Sequence, residues 1–155
     1  MKLSRLSFIT ATALYIATLV ACNNNKVYDR YEHTSTAGWE RNDTLQYSVP
    51  SIKTEGIYKS SVGLRLTDDY PFTAVTLIVD RHIVGRGILV SDTINCQLTD
   101  SHGNAASKGI SYHQYKFDIR PIKLQSGDSL QIGIRHYMKC EILPGISDVG
   151  ITMSR

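Results

Sequence analysis

From Leu45 onward, apolar and polar residues alternate along the chain. Leu45, Tyr47 and Val49 stand against Gln46 and Ser48, and Tyr58, Val62, Leu64 and Leu66 stand against Lys59, Ser61, Arg65 and Thr67. A period of two sends one set of side chains to a core and the other to solvent, so both stretches predict half-buried strands. The run from Ala74 to Asp80 is apolar on both parities, which predicts a strand covered on both faces. Ile94, Cys96 and Leu98 share a parity, and Tyr115, Phe117 and Ile119 alternate with Gln114, Lys116 and Asp118. A further strand is predicted from Leu130 to Tyr137. Turn chemistry separates these runs at Asp69-Tyr70-Pro71, Gly85-Arg86-Gly87, Asp100-Ser101-His102-Gly103-Asn104 and Ser126-Gly127-Asp128. No long stretch carries helical spacing. Several short strands with such punctuation predict an all-β domain, a single β-sandwich of jelly-roll or Ig-like kind, over residues 39–155.

The start of the chain obeys a different pattern. Lys2 and Arg5 precede an uncharged apolar segment from Leu6 to Ala21, the order of a secretory signal peptide. The segment is short for a spanning helix, which needs about 20 predominantly apolar residues, and Ser7, Thr10, Thr12 and Thr18 dilute it. Hydrophobicity stops at Cys22 and three asparagines follow. Leu19-Val20-Ala21-Cys22 resembles a bacterial lipobox, which implies cleavage of residues 1–21 and acylation of Cys22 as the new first residue. Several acyl chains, at about 0.8 kcal/mol per buried methylene, would hold the protein on a membrane. Residues 22–38 are polar, with Tyr28 and Tyr31 as their main large side chains, and read as a flexible tether between lipid and domain.

Removing residues 1–21 leaves 134 of the 155 residues, enough for one domain. Loss of Lys2 and Arg5 takes the 17 basic residues to 15, against 14 acidic ones. A balance so near neutrality gives no support to nucleic-acid binding. With Cys22 acylated, Cys96 and Cys140 remain in a compartment that permits a disulfide, which would stabilise the fold by about 3 to 4 kcal/mol. Both also fall at the parity of core residues, so two buried free thiols fit the sequence equally well.

Catalytic and metal-binding patterns are sparse. Asp68 and Asp69 are neighbours, whose side chains point to opposite faces of a strand and do not by themselves make an acid and base. Asp80 with His82 and Asp100 with His102 each sit two residues apart, within reach of one cation on a strand, but His33, His113 and His136 share no spacing with them and no metal site is expected. No Gly-x-Ser-x-Gly is present, Ser107-Lys108 lacks the Ser-x-x-Lys spacing, and Gly85-Arg86-Gly87 lacks the third glycine and helix of a dinucleotide loop. The chain is therefore expected to have no enzymatic activity, no cofactor and no small-molecule substrate. Asp43-Thr44-Leu45, Asp92-Thr93-Ile94 and Asp128-Ser129-Leu130 repeat one pattern, similar to the O-glycosylation acceptor of Bacteroidota, with Thr44, Thr93 and Ser129 as attachment points. The same pattern also describes an aspartate closing a turn ahead of a strand.

Read in order, the mature chain resembles the gliding motility lipoprotein GldH family. Trp39 precedes "DTLQYSV"; "VGLRLTDDYPFTAVTL" carries Arg65 and Tyr70-Pro71; "DTINCQLTDSHGNAASKG" carries Leu98, Asp100 and Gly103. "GDSLQIGIRHYM" then leads into "LPGISDVGI", with Gly145, Asp148 and Gly150. Where the family has glutamine, methionine and arginine, this chain reads Arg135-His136-Tyr137-Met138-Lys139, so Met138 and a basic residue carry over. A tryptophan frequent after the Gly103 turn is replaced by Asn104 and Ala105. The resemblance implies a membrane-anchored, non-enzymatic accessory of the gliding or a related envelope machinery, with protein partners. The absence of an acidic cluster after Cys22, and of an aspartate at Asn23, implies the periplasmic face of the outer membrane. Two other readings have their own discriminators: a glycan-binding lipoprotein would align Tyr70 and Tyr112 along one exposed groove, and a hydrolase would bring Asp69, Asp100 or His102 together in a cleft.

Overall fold

The computed structural model describes residues 25–100, 102 and 112–155, which form two packed antiparallel sheets. The strands are β1 (Lys26–His33), β2 (Trp39–Glu40), β3 (Leu45–Val49), β4 (Gly56–Leu66) and β5 (Ala74–Ile83), then β6 (Ile88–Gln97), β7 (His113–Leu124), β8 (Leu130–His136), β9 (Ile142–Leu143) and β10 (Ile146–Ser154). One sheet runs β1-β10-β4-β7 and the other β3-β8-β5-β6, with β2 and β9 as a small separate pair. The eight long strands pass between the two sheets in jelly-roll order, which selects between the two sandwich types the sequence left open. Alternation is the driving pattern: Leu45, Tyr47 and Val49 are buried while Gln46 and Ser48 are exposed. The core between the sheets gathers Val62 and Leu64 of β4, Leu77 and Val79 of β5, Ile132 and Ile134 of β8, and Val149 and Ile151 of β10.

This topology sorts the connections into two ends. His33, Asp148, Arg65 and Gln114 lie side by side at one end of the first sheet, and Lys26, Ser154 and Lys59 at the other. The links 34–38, 67–73 and 137–145 fall at the first, or far, end. The links 50–55, 84–87 and 125–129 fall at the second, or near, end, where the described chain also enters at Asn25; there Ile52 and Asp128 join by a backbone hydrogen bond of 2.7 Å.

Two expectations change. The span read as a tether over 22–38 holds β1 from Lys26, paired with β10 along its length. β1 is an edge strand with a bulge between Lys26 and Tyr28 and charges at Asp29, Arg30 and Glu32, so the period of two is broken and the hydrophobic signal is weak. β5 is buried on only one face: Val75, Leu77, Val79, Arg81 and Ile83 are buried, and Ala74, Thr76, Ile78, Asp80 and His82 half-buried. Arg81 occupies a core parity with no accessible surface, donating to the Arg120 carbonyl of the opposite sheet at 2.8 Å and pairing with Asp92. Arg120 pairs with the same carboxylate at 2.7 Å, so the three side chains clamp β5, β6 and β7 at the open edge of the sandwich.

Candidate functional site

The far end is built from segments distant in sequence. Gly145, in the tight β9–β10 turn at φ +79°, accepts a 2.8 Å hydrogen bond on its carbonyl from the Thr67 amide. A Cβ placed on Gly145 would lie 2.4 Å from the Tyr70 nitrogen and 2.5 Å from its Cα, so only glycine lets these two loops touch. The turn glycine and the Tyr70-Pro71 motif thus form one continuous wall. Tyr70 is half-buried, donates its hydroxyl to the Ala74 carbonyl at 3.0 Å, and stands edge-on to Phe72 with ring centroids 5.8 Å apart. Burial, then the neighbouring thiols of Cys140 and Cys96, push the Tyr70 hydroxyl above its ordinary range. Pro71 and Phe72 are exposed.

Arg65, Asp148 and Gly150 serve the outer face of the first sheet. Gly63 and Gly150 are register partners, and the Tyr31 ring lies flat across both; a Cβ would meet the Tyr31 hydroxyl at 2.1 Å from Gly63 and its ring at 2.6 Å from Gly150. Gly150 therefore clears space for an aromatic ring; its φ lies outside the positive region. The Arg65 guanidinium covers that ring at 4.4 Å from its centroid. Asp148 is buried, paired with the exposed His33 at 2.5 Å, and accepts from the Ser147 hydroxyl at 2.8 Å.

Against this wall lies a cleft of about 430 Å³. Thr34, Ser35, Thr67 and Ser147 line it together with Asp69 and the exposed Tyr112. Thr34 donates to the Ile146 carbonyl and so ties the β1–β2 link to β10. A neighbouring depression of about 200 Å³ shares Thr67 and holds Asp68, Tyr70, Phe72 and His113, with His113 Nε2 3.1 Å from the Asp68 carboxylate.

The other sequence-singled residues take separate places. Tyr112 faces the larger cleft and Tyr70 the smaller, so the two rings do not line one groove. Asp69 lines the larger cleft, whereas the Asp100 carboxylate accepts the His102 amide at 2.8 Å within its own loop. Among the described residues no three His, Cys, Asp or Glu side chains gather to hold a metal ion. Asp80 accepts from Ser91 at 2.6 Å and from Arg135. Burial alone would raise its pKa, but these bonds outweigh burial and hold it below the usual range. Met138 accepts the Thr76 amide on its sulfur at 3.4 Å. Cys96 and Cys140 are free thiols, Cys96 in the core and Cys140 half-buried. Thr93 is exposed on edge strand β6, while Thr44 and Ser129 are half-buried. Cys22 and Gly103 lie outside the described residues.

Sequence reasoning missed His136. It is buried, its ring stands edge-on to Trp39 at 5.4 Å, and its Nε2 lies 3.1 Å from the Trp39 carbonyl. Trp39 in turn donates its indole N–H to the Asp43 carbonyl at 3.0 Å, pinning the small β2–β9 pair beneath the far end. The signal was available: His136 continues the buried parity of Leu130, Ile132 and Ile134.

Comparison with known proteins gives one family. A family model described as GldH lipoprotein matches residues 26–153. Over 145 residues the chain is 26% identical to a gliding motility lipoprotein GldH of Flavobacterium johnsoniae, covering 88% of this chain and 89% of that one. Among solved structures, a GH115 4-O-methyl-α-glucuronidase specific for decorated arabinogalactans aligns with a TM-score of 0.46 at 12% identity, over 84% of this chain and 18% of that one. A family 35 carbohydrate-binding module from Clostridium thermocellum aligns with a TM-score of 0.39 at 8% identity, over 80% of this chain and 89% of that one. Structural likeness at these scores bears on no activity.

Proposed function

The chain belongs to the GldH lipoprotein family, and on that premise we propose that it is a lipid-anchored, non-enzymatic component of the gliding machinery or a related envelope machine, whose far end binds a protein partner. The observation that carries the reading is the convergence of 65–71 with 143–151. These segments are far apart in sequence, meet at the Gly145–Tyr70 contact, and frame a cleft beside the exposed Phe72 and Tyr112. Loops on a rigid sandwich, carrying exposed aromatic rings, suit a protein contact.

Acylated Cys22 supplies the anchor in this reading. From Cys22 to Lys26 the chain extends at most about 14 Å, and the eight residues of β1 rise about 27 Å. The partner is therefore met up to roughly 40 Å from the bilayer. The periplasmic leaflet of the outer membrane is the proposed location; digestion of the domain by protease added to intact cells would contradict it.

A glycan-binding role has less support. Only Tyr112 of the two anticipated rings faces the larger cleft, and the Tyr70 hydroxyl is committed to Ala74. The test of the partner reading is cross-linking of the lipidated protein in native membranes. A stoichiometric envelope protein should be recovered and should be lost with Cys22→Ala; recovery of none would remove the main support for a machine subunit.

A further inference from the structure

The near end has a surface chemistry of its own. Val84 tips the β5–β6 turn and is exposed, as are Ile88 and Leu89 directly after it, Leu89 at 63% of its full accessible surface. Ile57, at the start of β4, is 64% exposed, and Val27, at the start of β1, is exposed as well. Isolated exposed aliphatics are ordinary on protein surfaces, but here five belong to one end of the sandwich, with Ile57 on the outer face of the first sheet and Leu89 on that of the second.

Basic residues surround them: Lys26, Lys53, Lys59, Arg86, Lys123 and Arg155. The acidic residues of the same end are Asp29, paired with Lys26 at 2.6 Å, Asp128, buried and paired with Arg86 at 2.6 Å, Glu55, and the exposed Asp118, in the register row of Asp29. Lys53, Lys59, Lys123 and Arg155 outnumber Glu55 and Asp118, so a surplus of two positive charges is left. At the far end Asp68, Asp69 and Asp100 are exposed. A groove of about 420 Å³ opens at the near end between Lys53 and Arg155, floored by Val27, Val49, Pro50 and Ile52.

The near end is also where the chain comes in. Arg155 donates its amide to the Asn25 carbonyl at 3.0 Å, and only residues 23–25 separate Cys22 from β1. We infer that the near end is a membrane-docking surface: its aliphatic side chains enter the headgroup region while its lysines and arginines meet anionic lipid phosphates. A side chain in this position adds apolar burial, and each basic residue at an anionic surface adds attraction that salt screens. Docking would hold the long axis of the sandwich upright and direct the far-end cleft away from the bilayer. The inference rests on the lipid-anchor reading for its geometry but on the near-end residues for its chemistry.

The experiment uses the full mature protein purified from membranes and reconstituted into vesicles of phosphatidylethanolamine and phosphatidylglycerol with brominated acyl chains. Ile57→Trp and Leu89→Trp report on the near end and Tyr137→Trp on the far end, above the background of Trp39, which is buried at the far end. The expected result is several-fold stronger quenching of the near-end reporters, reduced by the combined Lys53→Glu, Lys123→Glu, Arg155→Glu change and by about 1 M salt, where the screening length falls to about 3 Å. Equal quenching at both ends of an acylated protein overturns the docking. Intact mass reports acylation independently. An unmodified Cys22 with near-end quenching would defeat the anchor and keep the docking, and an unmodified Cys22 without quenching would defeat both.

Discussion

Gly145 faces the backbone of Tyr70 so closely that a Cβ would sit 2.5 Å from the Tyr70 Cα, and its φ of +79° is one that side chains resist. Two motifs about 75 residues apart are thereby a single feature of the fold. Gly145→Ala is expected to combine backbone strain with displacement of the 67–71 loop, at a cost of about 1 to 3 kcal/mol in unfolding free energy. Chemical denaturation measures that loss, and recovery of a cross-linked partner should fall further than stability alone accounts for.

The Tyr31 ring over Gly63 and Gly150 gives a coupling that can be tested by double mutation. Gly150→Ala places a methyl group against that ring and should destabilise the protein. In a Tyr31→Ala background the same change should cost less, with a coupling energy of about 0.5 to 3 kcal/mol. Additive losses would mean that Gly150 is required for some other reason.

Arg81 carries a guanidinium in the core, held by Asp92 and the Arg120 carbonyl. Asp92→Asn removes the countercharge while leaving the cation buried. An unfolding cost of about 3 to 5 kcal/mol is expected, well above that of Asp68→Asn, whose carboxylate is exposed where it meets His113. Thermal unfolding of the two variants makes the comparison.

Burial of His136, partly opposed by its bond to the Trp39 carbonyl, holds its pKa below the ordinary value of 6.5. The unfolded chain therefore binds a proton more readily than the folded one between the depressed value and 6.5. Stability should be full above that window and should decline as the pH falls through it. Denaturation of wild type and His136→Gln at several pH values checks this; the variant should lose that part of the slope, while acid-side losses from Asp80 and Asp128, whose pKa values are also lowered, should remain.

Burial pushes the Cys96 thiol up to about 12, whereas Cys140 is half-buried. An alkylating reagent should modify Cys140 in the native protein and Cys96 only after unfolding. Neither thiol reacting in denaturant would mean that the two are oxidised to a disulfide.

Sheet patterning was legible where strands have one wet face, as in β3, β7 and β8, because alternation there directly records burial. It failed at β1, whose bulge and charged edge break the period, and at β5, where half-buried Ile78 on the outer face resembled core. The resemblance pointed to Arg65, Tyr70, Gly145, Asp148 and Gly150, but their roles follow from contacts across strands. Linear spacing does not reveal that Tyr31 lies over Gly150 or that Thr67 bonds Gly145. His136 and Arg81 were obscured for a related reason: a polar residue at a core parity identifies itself only through the partner it finds.

In the proposed arrangement the far end meets a protein while the anchored end does not. Site-specific photo-cross-linking in native membranes tests it directly, with the photoreactive residue placed at Phe72 in one strain and at Ile57 in another, both exposed positions. A discrete protein adduct is expected from position 72 and none from position 57. Protein adducts from position 57 with none from position 72 would contradict it.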